Sequence, residues 1–378
     1  MHSATLTDVY SAIGVKPIIN ARGHNTVIGG STPSAHVREA MEQAERYFVD
    51  MRDLLERTGE IIADLLGAEA AYVTPGAAAA LTLGTASFIT GDDLEKMARL
   101  PDTTGLKNKV LIQKRHKYSY EHATTIVGTK LIYVGDDNGT TAEQLDAAIG
   151  PETVEVLYPA MLEGTPGTLS LAEVLEIAHR RDVPVLVDSA GEVFPLDRFR
   201  SYAKMGCDLF CFGGKYFGGG NSAGILAGKK QYVEPAVSQG FIGFETVANR
   251  KGFGRPMKLD RQEIVGITVA LQDWFSMDHA RRFVELERKC AVIQRALQGL
   301  PGLSFDIVKT HSAHPKVLKV TLEAGKAKKT PEQVHDALRE GNPMVYVGIG
   351  ADHLLVNPVT LLDGDEVTVG QRLRSVLG

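Results

Sequence analysis

Between residues 70 and 230 the chain alternates strand-length apolar runs with helix-patterned stretches, and this limits the fold more than any other feature. The runs are AAYVT, KVLIQ, KLIYVG, VEVLYP, VPVLVD, DLFCF and AGILAG. VPVLVD is apolar with almost no interruption, as a strand covered on both faces must be. Strands separated by helices predict an α/β fold, with a largely parallel sheet flanked by helices on both faces. Thr141 with Gln144 and Ser170 with Glu173 are capping boxes that start two of those helices. PGAAAALTLGTASFI reads as a turn opening straight into an alanine-rich helix. Upstream, the apolar positions from Ser34 to Leu66 recur at helical spacing, and Gly67 closes that stretch. Residues 91–108, polar and broken by Pro101, predict a surface excursion.

The flanks read differently. Residues 1–33 are an arm rich in turn formers, with Arg22, His24 and Asn25 unusually polar for a linker. From about Asp260 the chain turns helical. The strands LSFDIV and KVLKVTL follow, then a helix opened by Thr330–Pro331, the short strands MVYVG and HLLVN, and a last helix. The expected organisation is therefore an N-terminal arm (1–33), a large domain (34–259) and a smaller C-terminal α/β domain (260–378). A chain of 378 residues is long enough for both cores.

Charge and composition narrow the class. The net charge of −5 offers no field that would favour nucleic acid or an anionic membrane. Three cysteines, Cys207, Cys211 and Cys290, cannot build a disulfide framework and suit a reducing compartment. The start, MHSATLTDVYSAIG, lacks the basic-then-apolar pattern of a signal peptide. No run of 18 apolar residues exists to span a bilayer. The expectation is a cytoplasmic protein with a small-molecule substrate.

Four local signals point to chemistry. In FCFGGKYFGGGNSAGILAG, Lys215 sits among glycines between two strands. Ligands of open α/β sheets collect beyond the carboxyl ends of the strands, where a desolvated lysine can attack a carbonyl. A surface turn would account for the lysine equally well. Asp188 ends VPVLVD, and a carboxylate there needs a cation, such as a protonated pyridine nitrogen, unless it only caps the next turn. Gly76, Ala77 and Ala78 open the alanine-rich helix with accessible N–H groups, a phosphate cradle of a generic kind. KRHKYSYEH follows KVLIQ, so His116 could lie against a cofactor ring while Lys114 or Arg115 meets an anion. A nucleotide P-loop is excluded, since Leu209 takes its first glycine and Tyr216 the Ser/Thr position. Metal binding by His116 with His122, or His311 with His314, lacks supporting ligands. Phosphate turn, ring-facing loop, strand-end Asp and strand-end Lys, in that order, together suit pyridoxal 5'-phosphate.

These motifs, with VKPIINARGHNTVIGGS, LGAEAAYVTPGAAAAL, PVLVDSAGE and FGRPMKLDRQEIVGITVAL, resemble the fold-type I pyridoxal-phosphate enzymes over nearly the whole chain. The branch they are most similar to contains selenocysteine synthase (L-seryl-tRNA selenium transferase) and D-glucosaminate-6-phosphate ammonia-lyase. The resemblance implies that Lys215 holds the cofactor as a Schiff base and Asp188 faces its ring nitrogen. Gly76, Ala77 and Ala78 would hold its phosphate, and His116 would stack on the ring. It also implies that Arg22, His24, Arg255 and Lys258 contribute to substrate binding, some of them across a subunit interface, in a homodimer or larger assembly. Where relatives often carry Ser, this chain has Phe212. It has Gly218–Gly220 for their Gly-Gly-Pro, and Gly23–His24 for the Gly-Thr of the ammonia-lyase group. Selenium transfer itself is not expected, because such enzymes carry an additional tRNA-binding region. The expected reaction is α,β-elimination by an ammonia-lyase acting on an amino acid or amino-sugar acid. The alternatives are a racemase or epimerase, an aldolase, and a degenerate member that only binds.

Overall fold

A computed structural model describes residues 6–246 and 252–378. It divides into two compact units, one spanning Pro33–Ser276, the other joining residues up to Thr32 to Met277–Gly378. The expected boundary at 259/260 thus falls one helix early. The helix Arg261–Ser276 packs on Ala35–Glu45 and Met51–Leu66, within the larger unit.

In chain order the strands are β1 (Ile18–Ala21), β2 (Ala70–Thr74), β3 (Lys109–Gln113), β4 (Lys130–Val134), β5 (Thr153–Pro159), β6 (Val185–Asp188), β7 (Leu209–Gly213), β8 (Gly224–Gly228), β9 (Leu303–Val308), β10 (Val317–Leu322), β11 (Met344–Ile349) and β12 (His353–Val356). The larger unit holds a seven-stranded sheet ordered β2-β8-β7-β6-β5-β3-β4. β7, β6, β5, β3 and β4 run parallel, and β8 runs antiparallel to both β7 and β2. The carboxyl ends of β2, β3, β6 and β7 therefore share one edge, where β8 begins. β5, β6, β7 and β8 are buried along their whole length, which is why their sequences are apolar throughout.

Both predicted capping boxes form, at Thr141/Gln144 and Ser170/Glu173. The helical stretch from Ser34 is two helices rather than one. Asp50 starts the second by accepting from the Arg52 N–H, and Tyr47, Phe48 and Val49 of the break are exposed. The excursion at 91–108 contains a short helix, Leu94–Arg99, capped by Asp93.

The smaller unit is built on a sheet ordered β1-β11-β12-β10-β9. Ile293, Leu297, Val320, Leu338, Val347, Leu354 and Leu373 belong to its core. The N-terminal segment, expected as an irregular arm, supplies β1, paired in parallel with β11 from Ile18↔Met344 to Ala21↔Val347. Its short run IIN is an edge strand of the C-terminal sheet.

Candidate active site

Lys215 lies in the single turn Gly214–Phe217 that follows β7, and is half-buried. Burial holds its amine below the ordinary lysine range. Its Nζ stands 5.3 Å from the centre of the Tyr216 ring. The glycines around it serve helix packing. A Cβ on Gly219 would lie 2.9 Å from Ile267 of the helix Arg261–Ser276. The Gly219 N–H also closes the turn onto the Gly214 carbonyl at 2.8 Å.

Asp188 ends β6, the neighbour of β7, in register with Cys211. It is 6% exposed. Its Oδ1 accepts from the Ala190 N–H at 3.1 Å, so the turn-capping role is real. Its Oδ2 accepts from the Tyr118 hydroxyl at 2.6 Å, which a cap does not require. Burial pushes the Asp188 carboxyl up, while Tyr118, Ala190 and Cys211 pull it down. Tyr118 is held far above the ordinary phenol range by burial and then by Asp188, so it stays a neutral donor.

His116 ends the turn after β3 and is fully buried. β3 and β6 are separated by β5 alone, so the two strand ends lie about 10 Å apart at ordinary strand spacing. The Gln113 amide is fixed by Leu169: its Oε1 accepts from the Leu169 N–H at 2.7 Å, and its Nε2 donates to the Leu169 carbonyl at 3.0 Å. The same Nε2 faces His116 Nδ1 at 3.3 Å. Nδ1 must then accept, and the ring is the neutral Nε2–H tautomer. Burial lowers the His116 pKa to about 4, consistent with a neutral ring. It packs at right angles to the Tyr158 ring, with ring centres 5.1 Å apart.

The helix Gly76–Thr90 starts at this edge, after Pro75, which offers no side-chain cap. The N–H groups of Gly76, Ala77 and Ala78 have no acceptor within their own helix. Gly224 of β8 backs this turn so closely that a Cβ there would lie 2.4 Å from the Gly76 carbonyl carbon. Phe212, where relatives often carry Ser, is fully buried against Phe199, with ring centres 4.3 Å apart. It belongs to the aromatic core.

The other expected residues have local partners or surroundings of their own. Lys114 pairs with Asp137 at 3.0 Å and Arg115 donates to the Pro166 carbonyl at 2.6 Å, so neither is held ready for an anion. Arg255 pairs with Glu245 at 3.0 Å and lies over Phe244, and Lys258 is exposed. Arg22 and His24 belong to the smaller unit. Arg22 is exposed there, and His24 Nδ1 meets His314 Nε2 at 3.0 Å. Sequence reasoning missed Tyr118, Tyr216, Gln113 and Glu121. KRHKYSYEH contains the first of these, but spacing alone does not reveal its partner 70 residues away.

Pyridoxal phosphate fits the strand-end group: an amine of lowered basicity, a buried carboxylate on the adjoining strand, and an uncapped helix start among small residues. Comparisons with known proteins agree. A family model, SelA: L-seryl-tRNA selenium transferase, matches residues 121–242, which include Asp188 and Lys215. The chain is 26% identical to D-glucosaminate-6-phosphate ammonia lyase of Salmonella typhimurium over 98% of both chains. It is 27% identical to a 5'-C-glycyluridine monooxygenase-decarboxylase of a Streptomyces species, over 97% of this chain and 92% of the relative. A solved structure of D-glucosaminate-6-phosphate ammonia-lyase matches with a TM-score of 0.85 and 25% identity, covering 100% of this chain and 99% of that one. Serine palmitoyltransferase of S. paucimobilis shares the fold at a TM-score of 0.57 and 14% identity, covering 95% of this chain and 87% of that one.

Fold and strand-end chemistry together define a fold-type I pyridoxal-phosphate enzyme. Within that class the chain is similar to selenocysteine synthase and to D-glucosaminate-6-phosphate ammonia-lyase. No helix among the described residues is long and apolar enough to cross a membrane.

Proposed function

We propose that this enzyme is an ammonia-lyase that eliminates across Cα and Cβ of an amino acid or amino-sugar acid. The observation that carries the reading is the likeness to the ammonia-lyase, which extends over essentially all of both chains. In this reading Lys215 holds the cofactor, Asp188 faces its ring nitrogen, and the N–H groups of Gly76, Ala77 and Ala78 receive its phosphate. His116, expected to stack on the ring, is already fully buried without the cofactor and is better placed to support the site from behind. The cofactor supplies an electron sink for the charge that develops at Cα. Lys215 Nζ takes the Cα proton, a task that suits an amine whose basicity burial has lowered. The β-substituent leaves with the electron pair, and hydrolysis of the product releases ammonia and a 2-keto acid. Arg22, His24, Arg255 and Lys258 are the candidates for holding the substrate's anionic groups. Arg255 must exchange Glu245 for substrate to do so. The protein is read as a cytoplasmic homodimer or larger assembly.

The test is a panel of β-hydroxy amino acids and amino-sugar acids, each with and without a phosphate ester, assayed for ammonia and keto acid. Release of both from one class is the expected result. Exchange of the Cα hydrogen for deuterium without ammonia would replace the lyase by a racemase or epimerase. Cleavage to an aldehyde and a shorter amino acid would replace it by an aldolase.

A further inference from the structure

The carboxylate of Asp188 is the inner end of a hydrogen-bonded chain that reaches across the sheet edge. The Tyr133 hydroxyl, on β4, donates to Glu121 Oε1 at 2.5 Å. Glu121 Oε2 accepts from the Tyr118 N–H at 3.1 Å. The Tyr118 hydroxyl then donates to Asp188 Oδ2 at 2.6 Å. Glu121 is 1% exposed, and its carboxylate has no evident role except to bridge these two tyrosines. A buried acid with two donors aimed at it is a costly arrangement to keep for packing alone.

The chain is more than a turn cap. Ala190 already satisfies Oδ1, and a cap needs one oxygen. Tyr118 engages the second oxygen from the β3 side, beyond β5. A phenol that stays neutral has one proton to give, so it stabilises the carboxylate over the carboxylic acid.

We propose that Tyr118, anchored through its backbone by Glu121 and Tyr133, is a positioning residue that keeps Asp188 a carboxylate aimed at the cofactor's ring nitrogen. The inference rests on Asp188 being the partner of that nitrogen. In the pair of ring nitrogen and carboxyl, one proton is shared. The Tyr118 hydrogen bond favours its residence on nitrogen, where it strengthens the electron sink. Without that bond the balance moves toward the carboxyl oxygen.

Holoenzyme reconstituted with pyridoxal phosphate carrying ¹⁵N in the ring reports that proton directly by NMR. The variants are Tyr118→Phe, Glu121→Gln and Asp188→Asn, each checked for folding by thermal melting. The unsubstituted holoenzyme should show a protonated ring nitrogen at neutral pH, and Asp188→Asn a neutral one. Tyr118→Phe should move the resonance toward the neutral position and lower kcat roughly tenfold, with a smaller change in KM, as expected for losing one hydrogen bond to a charged group. Glu121→Gln should move both in the same direction by less. A wild-type resonance in Tyr118→Phe, alongside a neutral ring in Asp188→Asn, overturns the proposal. A protonated ring in Asp188→Asn would instead sink the assignment of Asp188 itself. If Tyr118→Phe does not fold, Glu121→Gln decides: a shifted resonance supports the proposal, and an unshifted one removes it.

Discussion

Two buried acids sit on neighbouring strands of the larger sheet, Asp188 at the carboxyl end of β6 and Glu155 within β5. Burial pushes both carboxyls up, Glu155 to about 8. Their surroundings differ. Asp188 faces a hydroxyl, a backbone N–H and a thiol. Glu155 receives one hydrogen bond, from the Thr85 hydroxyl at 3.0 Å, and its other oxygen has no hydrogen-bond partner. Burial therefore favours the neutral form of Glu155, which is held against the helix Gly76–Thr90 through Thr85. Asp188 lies at an edge where donors converge and a cation can reach it. Burial marks both positions, but converging donors at a strand end mark only one as chemical.

The sharpest way to break this contrast is to substitute each acid by its amide. Asp188→Asn should lower kcat on the order of 100-fold, the usual scale for removing one preorganised charge contact, as steady-state kinetics would show. Glu155→Gln should leave kcat within about twofold, because a neutral acid and an amide present nearly the same charge. Equal losses in both variants would mean that position in the sheet, and not the donor set, decides function.

A smaller effect separates the phosphate turn from the sheet interior. Gly224→Ala places a Cβ against the Gly76 carbonyl carbon, so it should displace the helix start and destabilise the fold by about 1–3 kcal/mol. Equilibrium dialysis should show weaker cofactor binding in this variant. Unchanged binding would remove the turn at Gly76–Ala78 from the site.

The remaining expected effect is on stability rather than on rate, as a pH slope. Glu155 has its pKa raised from 4.5 to about 8 in the fold. Between those values the native state keeps a proton that the unfolded chain has released, so stability falls as pH rises. Denaturant titrations at pH 5 and pH 8 should show a steeper loss for the native chain than for Glu155→Gln. Identical slopes would mean that Glu155 is ionised in the fold.

Much of the site was legible because its residues stand at strand ends. Lys215, Asp188 and His116 each follow an apolar run, and Gly76 opens a helix directly after one. Parallel pairing then brings those ends to one edge, so chain order and strand class were enough. What lay hidden depends on long-range partners. Tyr118 acquires meaning only from Asp188, 70 residues later, and Gln113 only from Leu169, which turns its amide toward His116. Lys114 and Arg115 look alike in sequence as anion ligands, yet Asp137 and the Pro166 carbonyl occupy them. The break at Tyr47–Val49 carried a signal, Asp50 as a helix cap, masked by apolar spacing that runs through it. The N-terminal arm reads as irregular because a four-residue edge strand is too short for periodicity to show, and its partner β11 lies more than 300 residues away.

The central claim is that the amine of Lys215 carries the cofactor. Borohydride reduction of the holoenzyme, followed by proteolysis and mass spectrometry, tests it most directly. The account predicts a pyridoxyl-phosphate mass on the peptide containing Lys215, and none there after Lys215→Ala, whose protein should lack the bound cofactor's visible absorbance. A modified lysine elsewhere, or the same absorbance in Lys215→Ala, would contradict it.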